Sequence, residues 1–281
     1  MTDGRPGPAE ALPGEIRRLI RRGKWTRPTA GLAPGYTQTN VVILPREYAF
    51  EFLLFCQRNP KPCPVLAVTE EGCPHPDQVA READLRTDLP KYRIYRHGNL
   101  ATEVTEITDV WRDDLVTFLL GCSYTFEAAL LAAGIPVRHL EEQRNVPMYI
   151  TSIDCAAAGR FRGPLVVSMR PVPSHLVVRA VKVTERFPQA HGAPVACGGP
   201  TAIGIKDLVR PDFGDAVTIK EGEVPLFWAC GVTPQVVLRE AQPELVITHA
   251  PGHMFITDLP GRECIESWDV YPATTGSDHW S

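Results

Sequence analysis

LVVSMRPVPSHLVVRAVKVTERFP, residues 165–188, changes its period part-way along. Leu165 to Met169 is a short apolar, β-branched run that reads as a strand. Ser174 is suited to cap a helix, and beyond it Val177, Ala180, Val181 and Thr184 line one helical side until Phe187-Pro188, where the proline disfavours further helix. With Met148 to Thr151 as a strand before it, the stretch is a β-β-α unit.

The same punctuation extends in both directions. Pro45 opens a helix in which Ala49, Phe52, Leu53 and Cys56 share a face, ending at Asn59-Pro60, and Pro64 to Thr69 reads as a buried strand. Residues 70–90 are polar and proline-containing, which predicts a long surface excursion before a short strand from Tyr92 to Arg96. Asp113 to Leu120 and Tyr124 to Ala133 read as two helices around Gly121-Cys122-Ser123, with Ser123 as N-cap and Gly134 as the residue after the second. Strands are expected at 194–197, 215–219, 224–230, 245–248 and 254–257, with a helix at 234–241. Strands alternating with helices predict an α/β or mixed α+β fold, a layered main domain with a smaller two-layer α+β companion. The expected division is an N-terminal arm over 1–24, a main domain from 25–145 plus 201–260, a smaller domain over 146–200, and a loose tail over 261–281.

The chain of 281 residues has 44% hydrophobic and 22% charged residues, values of a folded protein rather than a disordered one. Net charge is −4, so no general positive field exists to hold a phosphate backbone, and nucleic acid is not expected as a partner. The basic cluster Arg17, Arg18, Arg21 and Arg22 around Leu19 and Ile20 reads as a solvated helix face or a subunit contact, which leaves a homo-oligomer open. Eight cysteines carry no CxxC pair, which suits reduced core thiols. Residues 1–24 lack the apolar stretch of a signal peptide, and no apolar run reaches the length of a membrane helix, so a cytoplasmic protein without membrane contact is expected. No GxGxxG, GxxxxGK[ST] or HExxH occurs; no organic cofactor is predicted, and a divalent metal stays open.

Eight ordered segments carry a resemblance. They are Phe55 to Pro64 (FCQRNPKPCP), Arg86 to Tyr92 (RTDLPKY), Gly121-Cys122-Ser123 with Phe126-Glu127, Asn145 to Tyr149 (NVPMY), Val166 to Pro171 (VVSMRP), Pro211 to Asp215 (PDFGD), Phe227 to Gln235 (FWACGVTPQ) and His249 to Met254 (HAPGHM). Together they resemble a family named for hydro-lyase and D-glutamate cyclase activity, across roughly residues 37–258. The resemblance implies a carbon–oxygen lyase acting on a small carboxylate or amino acid, with D-glutamate, closed to 5-oxo-D-proline with loss of water, as a candidate substrate. The chain departs from the family pattern at Ala196 and Gly199, where His and Asp are usual, and at Ile150 and Asp154, where Arg and Pro are common. Those departures favour, as the alternative, a protein that binds a small carboxylate without turnover.

Such chemistry needs a carboxylate anchor, a base and an acid. Arg170, at the end of a predicted strand, can grip a carboxylate with two prongs or form a structural ion pair; Arg58 and Arg138 are further candidates. Cys230 to Pro234 reads as a strand running into a helix with Thr233 as N-cap and Pro234 first inside, so N–H groups near Gly231, Thr233 and Gln235 could hold an anion or simply be capped. His191 and His253, both beside glycine, are candidate proton carriers. Asp212 and Asp215 are turn formers by default and a catalytic carboxylate pair or metal ligands as the alternative, with Asp88 comparable. Pro251 and Gly252 between His249 and His253 argue against a shared metal. Cys122 or Cys230 as the nucleophile of an amide hydrolase is a third reading. If the first is right, Arg170, His191 and Thr233 meet at one rim.

Overall fold

The computed structural model describes residues 11–261. Its helices are α1 (Pro13–Arg21), α2 (Arg46–Arg58), α3 (Tyr124–Ala132), α4 (Arg138–Glu141), α5 (Val177–Glu185) and α6 (Thr233–Ala241). Its strands are β1 (Tyr36–Pro45), β2 (Val65–Val68), β3 (Tyr92–Arg96), β4 (Asn99–Val104), β5 (Leu115–Gly121), β6 (Met148–Asp154), β7 (Pro164–Pro173), β8 (Ala196–Cys197), β9 (Glu223–Ala229), β10 (Val246–His249) and β11 (Phe255–Pro260). Seven strands form one sheet in the order β2-β5-β1-β10-β3-β4, with β11 also on β1; four form a second, β6-β7-β9-β8. The fold is mixed α+β, and the pairings between these strands are antiparallel.

The segment expected to be a helix, Asp113 to Leu120, is the strand β5, and the reason lies in its two faces. Val116, Phe118 and Leu120 pack with Phe52 and Phe55 of α2 on one side, while Leu115 and Leu119 pack with Leu85, Leu89 and Tyr92 on the other. A strand buried on both sides loses its alternation and reads as an unbroken apolar run, indistinguishable by period from a buried helix. β1, unassigned from sequence, is its neighbour and equally two-sided: Val42 and Leu44 face one cluster, Val41 and Ile43 the other. Burying a side chain of this size stabilises by about 1.5–3 kcal/mol, so these strands anchor the larger sheet. The strand expected at 215–219 is irregular, and β2, expected to be buried, is a partly exposed edge.

Residues 70–90 do not form a surface excursion. Val79, Ala80, Ala83, Leu85 and Leu89 are buried against the sheet, and Asp88 is fully enclosed. Asp88 receives Arg21 at 2.6 Å, and Arg17, buried, reaches Asp258 at 2.8 Å and the Ile256 carbonyl at 2.9 Å. Arg17 and Arg21 therefore anchor α1 to β11 and to the 79–89 segment, whereas Arg18 and Arg22 stay exposed, as a solvated face would be. Residues 1–10 of the arm and the tail beyond Gly261 lie outside the described residues.

In the second sheet Leu226 and Trp228 face α3 and α5, whereas Phe227 and Ala229 face Tyr149, Met169 and Ile203. Strand pairing places 223–229 in this sheet, past the boundary at 200 expected from sequence. The two sheets meet through Cys122, Tyr124, Val146, Met148, Val166, Cys230 and Met254. Among the described residues no helix is long and apolar enough to cross a membrane.

Candidate functional site

Five of the eight segments, those holding Lys91, Asn145, Asp212, Gln235 and His253, converge on one open cleft between the sheets. It has two lobes of about 330 and 280 Å³ that share Arg93 and Phe213. Lys91, Glu103 and His253 line the first lobe; Tyr95, Gln235 and Arg239 line the second. Three cations, Lys91, Arg93 and Arg239, stand against two carboxylates, Glu103 and Asp212, so the cleft carries one net positive charge with histidine neutral. Glu103 holds Arg93 at 2.7 Å and Lys91 at 3.9 Å.

His253 sits in the turn between β10 and β11, where the loop expected from Pro251-Gly252 is found. Its Nδ1 lies 3.0 Å from the Pro251 carbonyl. A carbonyl can only accept, so the ring donates from Nδ1, and the neutral imidazole keeps its lone pair on Nε2. Burial pushes the pKa of His253 down, the bond to Pro251 raises it, and Lys91 lowers it; the net shift is downward. The ring is therefore a neutral base at pH 7. Asp212, exposed on the same cleft, accepts the Ile150 N–H at 2.8 Å, so its turn-holding role and its place in the cleft coexist. Gln235 donates to the His249 carbonyl at 2.9 Å and receives the Tyr95 hydroxyl at 3.3 Å.

Arg170 is elsewhere. It is buried, with Nη2 on Glu127 Oε1 at 2.5 Å and on Ser123 Oγ at 3.0 Å, Nε on Glu127 at 3.1 Å, and Nη1 on Ser168 Oγ at 3.1 Å. The rings of Phe126 and Trp228 lie 5.3 and 5.5 Å from the guanidinium carbon. Burial would push the Glu127 carboxyl up, but His139 and Arg170 outweigh it and hold it below the usual range. Ser123 thus binds the guanidinium and makes no side-chain cap for α3. Of the two readings of Arg170, this is the ion pair, with a helical glutamate as partner.

His191 is also buried. Its Nδ1 is 2.8 Å from the Lys61 carbonyl, and burial lowers its pKa to about 4, with Arg170 contributing in the same direction. Thr233, fully buried, donates to the Cys230 carbonyl at 2.7 Å and accepts the Val166 N–H at 3.0 Å. Arg170, His191 and Thr233 thus lie in the interior and form no open rim. Nor is Thr233 an N-cap: α6 starts at that residue, and a side chain at Gly231 would strike the Asn40 amide at 1.9 Å, so the turn is filled. The rule placing ligands at strand carboxyl ends belongs to parallel sheets and does not apply to these antiparallel ones. Arg138 is buried on Glu223 at 2.5 Å, Arg58 donates to the Ala157 carbonyl, and Asp215 accepts the Asn145 N–H at 2.9 Å. Burial raises the thiol pKa of Cys230 to about 11 and that of Cys122 higher still, so neither is a thiolate at neutral pH.

A family model for D-glutamate cyclase matches residues 116–258, the span from β5 to β11 that carries the buried Arg170 cluster and most of the cleft. The chain belongs to the D-glutamate cyclase family. A protein of Bacillus licheniformis named "Putative hydro-lyase" is 65% identical over 235 residues, 84% of this chain and 90% of that one. A relative of the same description from Geobacillus kaustophilus is 66% identical over 230 residues, 82% and 88% of the two chains. The Bacillus subtilis relative YcsI, also named a hydro-lyase in that form, is 62% identical over 232 residues, 83% and 90%.

Within this family member, sequence reasoning missed Lys91, Arg93, Glu103, Arg239 and Asn145 as cleft residues. A signal was present for one of them. In β3, Tyr92 and Ile94 are buried while Arg93 between them is not, and that alternation directs Arg93 to the opposite face. Glu103 carried none, because β4 was not recognised as a strand and its pairing with β3, Arg93 opposite Glu103, is a tertiary fact.

Proposed function

We propose that the cleft is the active site of a carbon–oxygen lyase acting on a small carboxylate, and that its finer activity is closure of D-glutamate to 5-oxo-D-proline. The observation that carries the reading is His253: a neutral imidazole with its free lone pair on Nε2, in a cleft of net positive charge. Lys91 and Arg93 supply the charge that holds a carboxylate. The balance of the reaction suits one shuttling base. The substrate ammonium gives up two protons, one at a time, through His253; its nitrogen forms a bond to the γ-carboxyl carbon; the carbon–oxygen bond breaks, and the oxygen leaves with both protons as water. No redox step occurs, and His253 ends neutral. Lys91 and Arg93 would stabilise the negative oxygen of the tetrahedral intermediate.

The test is to follow D-glutamate and 5-oxoproline with the purified chain and with His253→Gln. Turnover that falls about a hundredfold in the variant supports the reading. Binding of D-glutamate without product in the unaltered chain would leave a carboxylate-binding protein, and unchanged turnover in the variant would move the chemistry out of this cleft.

A further inference from the structure

The Pro251 carbonyl accepts a second hydrogen bond besides that of His253 Nδ1. Asn145 Nδ2 donates to it, also at 3.0 Å. Asn145 is held from other sides too: its Oδ1 accepts the Tyr124 hydroxyl at 2.9 Å, and its backbone exchanges bonds with Asp215 at 2.9 and 3.2 Å. The carbonyl fixes the orientation of the amide, because an oxygen in place of Nδ2 would face another acceptor. Between Pro251 and His253, Gly252 has φ +84°, and a side chain there would come within 2.4 Å of the Asn145 amide. Only glycine lets the turn ride over that amide. Behind Tyr124, its ring stacks on His139 at 6.0 Å, and His139 Nε2 lies 3.1 Å from Glu127 Oε1.

We propose that Asn145 is a positioning residue for His253: it holds the Pro251 carbonyl that keeps the imidazole proton on Nδ1 and leaves Nε2 as the base, with Tyr124 fixing Asn145 in turn. The role rests on the reading of His253 as proton carrier. A neutral histidine has two tautomers, and the partner of one nitrogen decides which is present. Lys91, Glu103, Arg93 and Asp212 share the cleft with His253, and His249 lies within electrostatic reach of it. None of these changes when Asn145 or Tyr124 is replaced.

The tautomer is read by ¹⁵N NMR of the histidine-labelled chain above the pKa of His253. The unaltered protein shows His253 as the Nδ1–H form. In Asn145→Leu the ring becomes a mixture of tautomers and kcat falls about tenfold or more. Tyr124→Phe removes only the donor to Asn145 Oδ1, leaves the cleft-lining side chains in place, and gives the same changes in smaller measure. An unaltered Nδ1–H population in folded Asn145→Leu overturns the proposal, and if that variant does not fold, the same result in Tyr124→Phe overturns it. The NMR result decides this positioning role independently of whether His253→Gln proves the ring catalytic.

Discussion

The molecule contains two arginine–glutamate pairs in opposite surroundings. Arg170 and Glu127 lie 2.5 Å apart with side chains 1% and 3% exposed; Arg93 and Glu103 lie 2.7 Å apart with side chains 22% and 36% exposed. The buried guanidinium spends its donors on Glu127, Ser123 and Ser168 and is flanked by two rings, so it has little left to offer a ligand. The cleft pair is half open to water and shares its glutamate with Lys91. A charge pair sealed from water is costly to break because the survivor stays buried and uncompensated, whereas a partly exposed pair contributes little stability and can exchange its partner for another ion. The first pair is therefore structural, and the second is available for binding.

Acid should break the comparison most strongly. His191, beside Arg170, and His249, beneath the cleft, are both held near pKa about 4 by burial, below the ordinary 6.5. Between those values the unfolded chain binds protons that the folded chain does not, so stability is complete above pH 6.5 and is lost as pH falls toward 4. The slope is at most about 1.4 kcal/mol per pH unit for each histidine. Urea melts from pH 7 to 4 should show the loss, and His191→Gln should remove its share of the slope while that of His249 remains; a flat stability across that range contradicts the buried, neutral histidines.

Glu127→Ala comes next in size. It leaves Arg170 buried without its counter-charge and should cost about 3–5 kcal/mol in denaturant melts. Glu103→Ala, the matching change in the cleft, should cost under about 1 kcal/mol. Equal costs would erase the distinction between the pairs.

His253→Gln should leave the melting temperature nearly unchanged while turnover on the true substrate falls about a hundredfold, measured at saturating substrate. In the unaltered protein, activity should fall on acidification only below the ordinary histidine range, because burial lowers the pKa of His253 and the base is lost on protonation. The smallest effect belongs to Lys91→Met, which should raise KM about tenfold by removing one charged contact, with kcat reduced less. Unchanged KM would assign carboxylate binding to Arg93 and Arg239 alone.

The sequence by itself determined the family, the β-β-α unit at 148–187, the helix from 46 to 58 and the turn at 251–252, since caps, prolines and period are local properties of the chain. It also singled out His253 and Asp212, because histidine beside glycine and aspartate in a turn are signals carried by neighbours in sequence. Only the tertiary structure decided that 115–121 is a strand, because burial on both faces erases the period that distinguishes strand from helix. Only it decided that Arg170 is sealed and Arg93 open. The two residues are chemically identical in the sequence, and what separates them is the packing of Phe126 and Trp228 beside one and a β4 glutamate in partial contact with water beside the other. Partners of that kind come from 43 residues away for Glu127 and from across a strand pairing for Glu103, so no local pattern encodes them.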